Sequence, residues 1–416
     1  MTQTPKPNSL SNPQQAYAAL LEEMKTLLNK KLIGTDLEHK FRLMPLGFYS
    51  EGSRAVASLT PEEECRLTGP VEPAAQPSGL ASTFPPIQAR SFENVEAVEC
   101  SSALIRGKIA YIPDYCQEHH ANSLHEFVFL THHSSSRRLA LMLEGVRPRA
   151  WNGIMLFQIG ANNWYHWLIE ILPMAFLAER LPREYSIYPF VVPKKIAQFR
   201  SFRESLELFL NGRKTVEIDE IGFRFKELIV IDPISHGPFN LAGGIWPAKE
   251  MFRYHPGLLL EYRNAILERL GIQQKNQSDL IFLARGNDRR AFNQDEIQDI
   301  ALRHGFRPVY METLSFREQV EVMFGAKVII GASGAAFSNI LFCQKGARVL
   351  SWLIPQYKGF SSFTNLADAV GADIRYVFSQ PLQPIADTHD AYRAMYHLDP
   401  NVFENALKLA LHAENY

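Results

Sequence analysis

The fold is decided by residues 278–353, which read SDLIFLARGNDRRAFNQDEIQDIALRHGFRPVYMETLSFREQVEVMFGAKVIIGASGAAFSNILFCQKGARVLSWL. Short apolar runs alternate with segments of helical periodicity, in the order 280–283 (strand), 293–304 (helix), 308–311 (strand), 315–324 (helix), 328–330 (strand) and 348–353 (strand). Ser315 and Glu318 have the spacing of a capping box at the start of the second helix. Alternating strands and helices predict a parallel sheet with helices on its faces.

A second alternating series lies upstream. It is predicted at 154–157 (strand), 164–180 (helix, kinked at Pro173), 188–192 (strand), 195–210 (helix), 214–218 (strand) and 228–231 (strand). The two series predict an α/β protein with two Rossmann-like domains facing a cleft. The junction falls within 241–278, where Gly243, Gly244 and Pro247 precede a helix.

The residues before the first series predict an extension that is partly helical and partly β-rich. Residues 13–31 have the pattern of an amphipathic helix, which is predicted to dock on the body of the protein. Six prolines between 60 and 86 predict a loop or linker, and 95–145 is predicted to be rich in strands. The end of the chain, 388–416, is predicted to be helical and to pack back across the first domain.

Composition excludes several classes of protein. The 416 residues include 43 Lys and Arg against 44 Asp and Glu, so the broad positive field of a nucleic-acid-binding protein is missing. The four cysteines show no paired spacing, the first residues do not resemble a signal peptide, and no apolar run is long enough to cross a membrane. These features predict a cytoplasmic protein, with peripheral contact at the inner membrane face as the alternative. Nothing in the sequence predicts its oligomeric state.

The first cluster of chemically active residues lies at 162–170. His166 and Glu170 are four residues apart on a predicted helix and therefore share one face. A carboxylate can orient an imidazole and raise its basicity, so the pair could act as a general base. The alternative is a structural pair at a helix end, surrounded by Trp164, Tyr165 and Trp167.

Two further clusters each lie between a predicted strand and a predicted helix, where doubly wound sheets bind ligands. The basic residues Arg285, Arg289 and Arg290 precede Asn293 and could bind a diphosphate, or could form a solvated turn. The small residues of 331–339 would let a phosphate or ribose approach the backbone, or would form a tight turn. A serine-hydrolase elbow at Ser333 is disfavoured because its final glycine is missing.

A histidine-rich segment and three absent motifs also bear on the possible function. Cys116, His119, His120, His125, His132 and His133 lack the second half of a zinc site, so a solvated loop and hairpin are favoured. The sequence contains no Asp-x-Asp, no dinucleotide-binding G-x-G-x-x-G and no P-loop motif. A nicotinamide-dependent dehydrogenase and a P-loop enzyme therefore lack their main signatures.

The order of the three clusters resembles glycosyltransferase family 61, which includes bacterial capsular-polysaccharide proteins. The family motifs are Asn-x-x-His-x-x-x-Asp/Glu, Arg-x-x-x-x-Arg-x-x-Asn and Gly-Ala-His-Gly-Ala-x-x-x-Asn, and they correspond here to 163–170, 285–293 and 331–339. The resemblance covers about 150–355. It departs at Ser333, where the family usually has His, and at Ser351, where an acidic residue is frequent.

The resemblance implies a GT-B arrangement and metal-independent transfer with inversion, from a nucleotide-sugar donor, with a UDP-sugar as the first candidate, to a glycan or lipid-linked glycan. No cofactor and no nucleic-acid partner are expected. His166 or Glu170 would be the catalytic base, and Asn163 and Trp164 would lie on the acceptor side. The implied donor-binding residues are Arg285, Arg290, Asn293, Gln319, Gly331, Ser333, Gly334, Ala335 and Asn339.

The predicted parts are an extension (1–86), an acceptor domain with a β-rich start (87–255), a nucleotide-sugar domain (256–385) and a helical tail (386–416). A role in surface or capsular polysaccharide synthesis follows from the family resemblance. The alternative function is a catalytically degenerate scaffold that binds a glycan or nucleotide, and Ser333 is the residue that favours it.

Overall fold

The computed structural model describes residues 41–97, 101–116, 124–126, 130–133, 139–143, 147–218, 223–237, 246–273, 276–286, 291–386, 388–391 and 394–412. The predicted amphipathic helix at 13–31 lies outside these residues, and so do Gly243 and Gly244 of the predicted junction. The predicted domain boundaries therefore stay predictions.

The strands of the amino-terminal part are β1 (Phe41–Met44), β2 (Leu46–Phe48), β3 (Arg54–Thr60), β4 (Glu63–Thr68), β5 (Gly79–Phe84), β6 (Ile87–Ala97), β7 (Leu104–Arg106), β8 (Ile109–Ile112), β9 (Leu124–Glu126), β10 (Leu130–His133), β11 (Leu139–Leu143) and β12 (Arg147–Met155). The later strands are β13 (Phe190–Pro193), β14 (Thr215–Ile218), β15 (Phe223–Ile231), β16 (Ser235–His236), β17 (Arg253–Tyr254), β18 (Asp279–Leu283), β19 (Arg307–Val309), β20 (Ala326–Ala332), β21 (Arg348–Leu353) and β22 (Asp373–Phe378).

The α-helices are α1 (Tyr49–Gly52), α2 (Leu172–Leu177), α3 (Arg200–Glu207), α4 (Pro256–Arg269), α5 (Gln294–Arg303), α6 (Phe316–Gly325), α7 (Ser362–Val370), α8 (Thr388–Ala391) and α9 (Pro400–Leu411). A π-helical turn, His166–Ile171, leads into α2, and a 3₁₀ segment, Ala335–Phe342, follows β20. Helix α6 begins with the predicted capping box: Ser315 accepts from the Glu318 N–H, and the Glu318 carboxylate accepts from the Ser315 N–H.

The carboxyl-terminal sheet has the strand order β19-β18-β20-β21-β22, and all its pairs are parallel. Numbered along the chain, this is the order 2-1-3-4-5 of a doubly wound sheet, which confirms the predicted parallel sheet in this part. The strand order reverses between β18 and β20, so ligands are expected at the carboxyl ends of these two strands.

The amino-terminal sheet is mixed. Strands β14, β13, β12 and β15 are parallel neighbours, as the alternating pattern predicts, and β15 then pairs antiparallel with β6. Strands β7, β8 and β2 extend the sheet on that side, and β3 also pairs with β6. The structure is therefore a mixed α/β fold with parallel segments consistent with Rossmann-like folds.

One continuous apolar core joins the layers. Trp167 of the π-helical turn and Phe282 and Trp352 of the carboxyl-terminal sheet are fully buried members of the same cluster. A polar contact supports this packing, since the Glu204 carboxylate of α3 accepts from the Phe316 N–H at the start of α6, at 2.7 Å. An acidic group at a helix N-terminus is favourable because the first N–H groups have no partner within the helix.

Two expectations about local structure are wrong. The segment 60–86 is not simply a loop, because β4 and β5 pair as an antiparallel hairpin. Its prolines lie outside both strands, where they interrupt no hydrogen-bonded pair, so their density does not argue against strands between them.

The carboxyl-terminal tail packs on the second sheet, and not on the first domain as expected. In α9, Phe403 meets the ring of Trp352 edge-on at 5.7 Å, and Glu404 pairs with His304 at the end of α5. The apolar face of α9 is thus buried on the doubly wound sheet.

Candidate functional site

A cavity of about 500 Å³ opens at the carboxyl ends of β18 and β20. This is the point where the strand order reverses, and the volume falls within the usual range of ligand sites. Its described lining comprises Asn163, Trp164, residues 198–202, Leu283, Ala284, Arg285, residues 311–314, Gln319, Ala332, Gly334, Ala335 and Ala336. The cavity therefore brings together members of all three predicted clusters.

Trp164 joins the first cluster to the third. Its indole Nε1 donates to Asn339 Oδ1 at 3.3 Å, and Asn339 is fully buried. Asn339 in turn donates through Nδ2 to the carbonyl of Ala336, at 3.1 Å. Asn339 thus fixes Trp164 at the wall of the cavity, but the amide itself faces protein groups.

Arg285 connects the ends of β18 and β20. Its guanidinium donates to the carbonyls of Ala332 and Ser333, at 3.2 and 2.6 Å. Gly334 permits this approach, since a Cβ there would lie 3.1 Å from the guanidinium. Arg285 is partly exposed to the cavity, so it places a positive charge there while it holds the loop of β20.

The small residues after β20 allow close packing around the cavity. A Cβ on Gly331 would lie 2.9 Å from the Leu283 Cβ, so only glycine fits between the strands. Ser333 is buried, and its N–H donates to the Trp352 carbonyl at 3.4 Å. Ser351, the other departure from the family pattern, donates to the Gly331 carbonyl at 3.0 Å.

Gln319 and Asn293 differ in their placement. Gln319 lines the cavity and is buried, and its Nε2 donates to the carbonyls of Met311 and Leu314. Asn293 precedes α5, where it donates to the Leu398 carbonyl and accepts from the Leu398 N–H. Asn293 is not among the described residues that line the cavity, so its observed contacts fasten the tail.

His166 and Glu170 form the predicted pair. His166 Nδ1 lies 2.8 Å from Glu170 Oε2, and Gln158 Nε2 donates to the same oxygen at 2.8 Å. The Glu170 side chain is 5% exposed and that of His166 is 25% exposed. A buried carboxylate with two hydrogen-bond partners therefore orients an imidazole that solvent can reach.

The backbone around His166 departs from a regular α-helix and leaves room for the imidazole ring. The π-helical turn contains both members of the pair, and Leu172 donates to Trp167 five residues back. Gly160 adopts φ +75°, and a Cβ on it would lie 2.4 Å from His166 Cδ2. Glycine at 160 is thus required twice, by the left-handed backbone and by the ring packed against it.

Two tyrosines pack near the pair, Tyr165, which is partly buried, and Tyr254, which is buried. The Tyr165 hydroxyl lies 2.6 Å from that of Tyr254, and the Tyr165 ring meets His166 edge-on at 5.2 Å. Burial raises the pKa of both tyrosines well above the usual value, and the charge of Glu170 adds to this effect. Both phenols therefore stay neutral at ordinary pH.

Sequence reasoning missed the contribution of α3 to the cavity. Arg200, Ser201 and Phe202 at its first turn line the wall, and no side chain caps this helix end. Gly160 and Gln158 were also missed. Gly160 lies three residues before Asn163, but its requirement depends on where the His166 ring packs, which no spacing reveals.

Several predicted residues lie outside the described part of the chain. They are Arg289, Arg290, His119 and His120, so the roles predicted for them stay predictions. On the strands that are described, His125 of β9 is the register partner of His132 of β10. Cys116 is buried, and burial raises the pKa of its thiol well above the ordinary range.

The described residues hold neither a metal-binding cluster nor a membrane-spanning helix. They contain no group of three or more His, Cys, Asp or Glu residues arranged to hold a metal ion. They also contain no helix with the length and apolar character needed to cross a bilayer.

Part of the chain matches a known protein family. No curated protein matches the chain. Residues 164–350 match the model of the Glycosyltransferase 61 family. This segment begins at Trp164 and includes both His166 and Glu170, the Arg285 turn and the 331–339 loop, so it spans the cavity described above. The match supports the Glycosyltransferase 61 family for this segment and, with it, glycosyl transfer as the general activity.

Proposed function

We propose that the chain is an inverting, metal-independent glycosyltransferase with a GT-B arrangement, which transfers a sugar from a nucleotide-sugar, with a UDP-sugar as the first candidate, to a glycan acceptor. A cytoplasmic role in surface or capsular polysaccharide synthesis is part of this proposal. One observation carries it: the Trp164–Asn339 hydrogen bond joins the helix of the His166–Glu170 pair to a cavity at the switch point of a doubly wound sheet.

The cavity has the features that a nucleotide diphosphate needs. Arg285 supplies a positive charge at the carboxyl end of β18, and the first turn of α3, which no side chain caps, forms part of the cavity wall. Both would stabilise the negative charge that builds on the departing diphosphate. Loss of one such donor typically costs about 2.7–4 kcal/mol of transition-state stabilisation.

His166 is the proposed base. Glu170 holds Nδ1 at 2.8 Å, so proton transfer would proceed through Nε2. In the proposed step Nε2 takes the proton of an acceptor hydroxyl, whose oxygen forms a bond to the anomeric carbon. The bond from that carbon to the diphosphate oxygen breaks on the opposite face, which inverts the configuration.

The experiment is a thermal-shift titration of the full chain with UDP, GDP, CMP and the corresponding nucleotide-sugars, with and without EDTA. The proposal expects one nucleotide to raise the melting temperature equally in both conditions. Arg285→Ala should abolish this rise. Arg307→Ala is the matched control, because Arg307 is an exposed arginine at the amino end of β19 in the same sheet and should leave the rise unchanged.

A second candidate function is the catalytically inactive scaffold, and the serine at 333 favours it. Ser333 can donate a hydrogen bond but cannot carry positive charge. Hydrolysis of the stabilising nucleotide-sugar in the absence of acceptor separates the two functions, since a scaffold should release no free sugar. If no nucleotide at millimolar concentration stabilises the chain, nucleotide-sugar transfer is the wrong function.

A further inference from the structure

A second cavity, of about 300 Å³, lies outside the site described above. Its walls come from the start of β6, the residues after β8, and the residues after β15. Asp232 follows the carboxyl end of β15, and Gln158 follows that of the parallel neighbour β12. The cavity therefore lies at the same edge of the first sheet as the loop that holds Glu170.

Three charged side chains line this cavity. Arg90 lies between two carboxylates, at 3.5 Å from Asp232 and 3.6 Å from Asp114. Asp232 also accepts from the Gln88 N–H at 3.0 Å, and Asp114 accepts from the Ser50 N–H at 3.2 Å. The carboxylates are thus held in place, and at neutral pH the two of them outnumber the single guanidinium, so the acidic and basic side chains here carry a net negative charge.

Flat rings form the apolar part of the walls. Tyr115 stacks on His236 with ring centres 4.6 Å apart and an interplanar angle of 20°. The Phe84 ring also packs against His236, with ring centres 4.4 Å apart. Pro113 and Pro233 add further apolar surface.

This combination selects one class of ligand. The net negative charge disfavours phosphates and carboxylates, and the described residues here do not form a group able to hold a metal ion. Carboxylates accept hydrogen bonds from hydroxyl groups, a guanidinium donates to hydroxyl oxygens, and ring and proline faces pack against C–H groups. A neutral, hydroxyl-rich ring of the size of one sugar meets all three demands.

We infer that this cavity binds one neutral sugar ring of the acceptor glycan. The inference rests on the proposed transfer reaction. The cavity would be an acceptor subsite of that reaction, at the same edge of the first sheet as the loop that holds Glu170. Tyr115 lines the cavity, and burial, together with the charges of Cys116 and Glu170, raises the pKa of its phenol well above the usual value. The donor cavity lies apart, at the carboxyl edge of the other sheet.

Saturation-transfer-difference NMR on the full chain tests this inference. The probes are the methyl glycosides of glucose, galactose, mannose, xylose and N-acetylglucosamine, each at millimolar concentration. At least one glycoside should receive saturation from the wild-type protein, and saturating UDP should not displace it. Asp232→Asn should weaken the binding about tenfold, because it removes a charged hydrogen-bond acceptor.

Asp114→Asn is the second variant, because Asp114 is less buried than Asp232 and its replacement is less disruptive to folding. Asp279→Asn is the control, since that partly exposed carboxylate lies in the second sheet. Circular dichroism verifies that each variant is folded. The inference is wrong if no glycoside binds, if UDP displaces the glycoside, or if both folded cavity variants bind it like the wild type.

The same experiment separates this inference from the proposed function. If UDP binds and no glycoside does, the acceptor subsite is wrong and the nucleotide-sugar reaction stands. If a glycoside binds in a manner sensitive to Asp232 and Asp114 but no nucleotide binds, the cavity is a sugar site and the proposed reaction is wrong.

Discussion

Gly160→Ala is the substitution that most directly tests how the proposed base is held. At φ +75° an alanine is disfavoured by about 1–2 kcal/mol, which should appear as lost stability. The new Cβ would also lie 2.4 Å from His166 Cδ2, whereas ordinary contact begins at 3.4 Å. The imidazole must therefore move by roughly 1 Å, and a displacement of that size can cost about 100-fold in turnover.

Gly212→Ala is the matched control. Gly212 adopts φ +77°, almost the same backbone conformation, but a Cβ there meets no atom within 4 Å. In chemical denaturation, both variants should lose the stability that the positive φ costs, and Gly160→Ala should lose more because of its contact with His166. Only Gly160→Ala should lose turnover, measured as sugar released or transferred from the nucleotide-sugar that stabilises the chain.

The nucleotide-induced thermal shift should persist in Gly160→Ala, because Gly160 is not among the described residues that line the donor cavity. Equal turnover in the two glycine variants would refute the reasoning, since backbone strain alone would then account for the effect. A crystal structure of the variant with His166 still 2.8 Å from Glu170 would refute it as well.

Three further predictions concern the proposed base, the wall of the donor cavity and the second cavity. His166→Ala should lower turnover by about 10²–10⁴-fold and leave the nucleotide-induced thermal shift unchanged, and a loss of that shift would show that His166 serves donor binding. Trp164→Phe leaves the buried Asn339 Oδ1 without its indole donor and should cost about 1–3 kcal/mol in the free energy of unfolding, measured by urea denaturation; a cost near zero would contradict the hydrogen bond. Burial raises the pKa of Asp232 to about 6 from 3.8, despite the opposing effect of Arg90, so the folded state prefers the protonated acid. The contribution of Asp232 to stability should therefore fall by about 3 kcal/mol as the pH rises through that interval, and Asp232→Asn should flatten this dependence in denaturation curves at pH 4 to 7.

The second sheet could be predicted closely from the sequence. The strand at 348–353 has the predicted bounds because an apolar run is enclosed by Gly346 and Pro355, which both interrupt regular structure. The capping box of Ser315 and Glu318 is a local signal, and it forms as predicted. The capping box could be predicted because its contacts are local, and the strand because turn-forming residues mark both of its ends.

The two wrong predictions concern elements whose structure depends on contacts with residues far away in sequence. Prolines at 61–86 suggested a loop, yet β4 and β5 pair between them. The tail has an amphipathic pattern, but nothing in that pattern identifies the sheet that buries Phe403. In each case the partner surface belongs to a part of the chain far away in sequence.

In the candidate site, too, the local contact could be predicted from the sequence and the distant contacts could not. The sequence predicted the pairing of His166 with Glu170, because a helix places residues four apart on one face. It did not predict that Trp164 reaches Asn339, or that Arg90 and Asp232 face each other across neighbouring strands. These contacts depend on strand order, and strand order cannot be read from the spacing of motifs.

The wide turn at His166–Ile171 has a consequence for any alignment of this segment. A π turn contains one residue more than an α turn, and each residue of an α-helix advances the chain by about 100°. This extra residue sets the angular offset between Asn163, which lines the cavity, and the buried residues of α2 after the π turn. A relative with a regular α-helix here would need one residue fewer between Asn163 and Pro173. Only then would its Asn163 still face the cavity and its α2 residues still face the core. A single-residue gap at this point would therefore mark a change of helix type, with both ends of the helix still aligned.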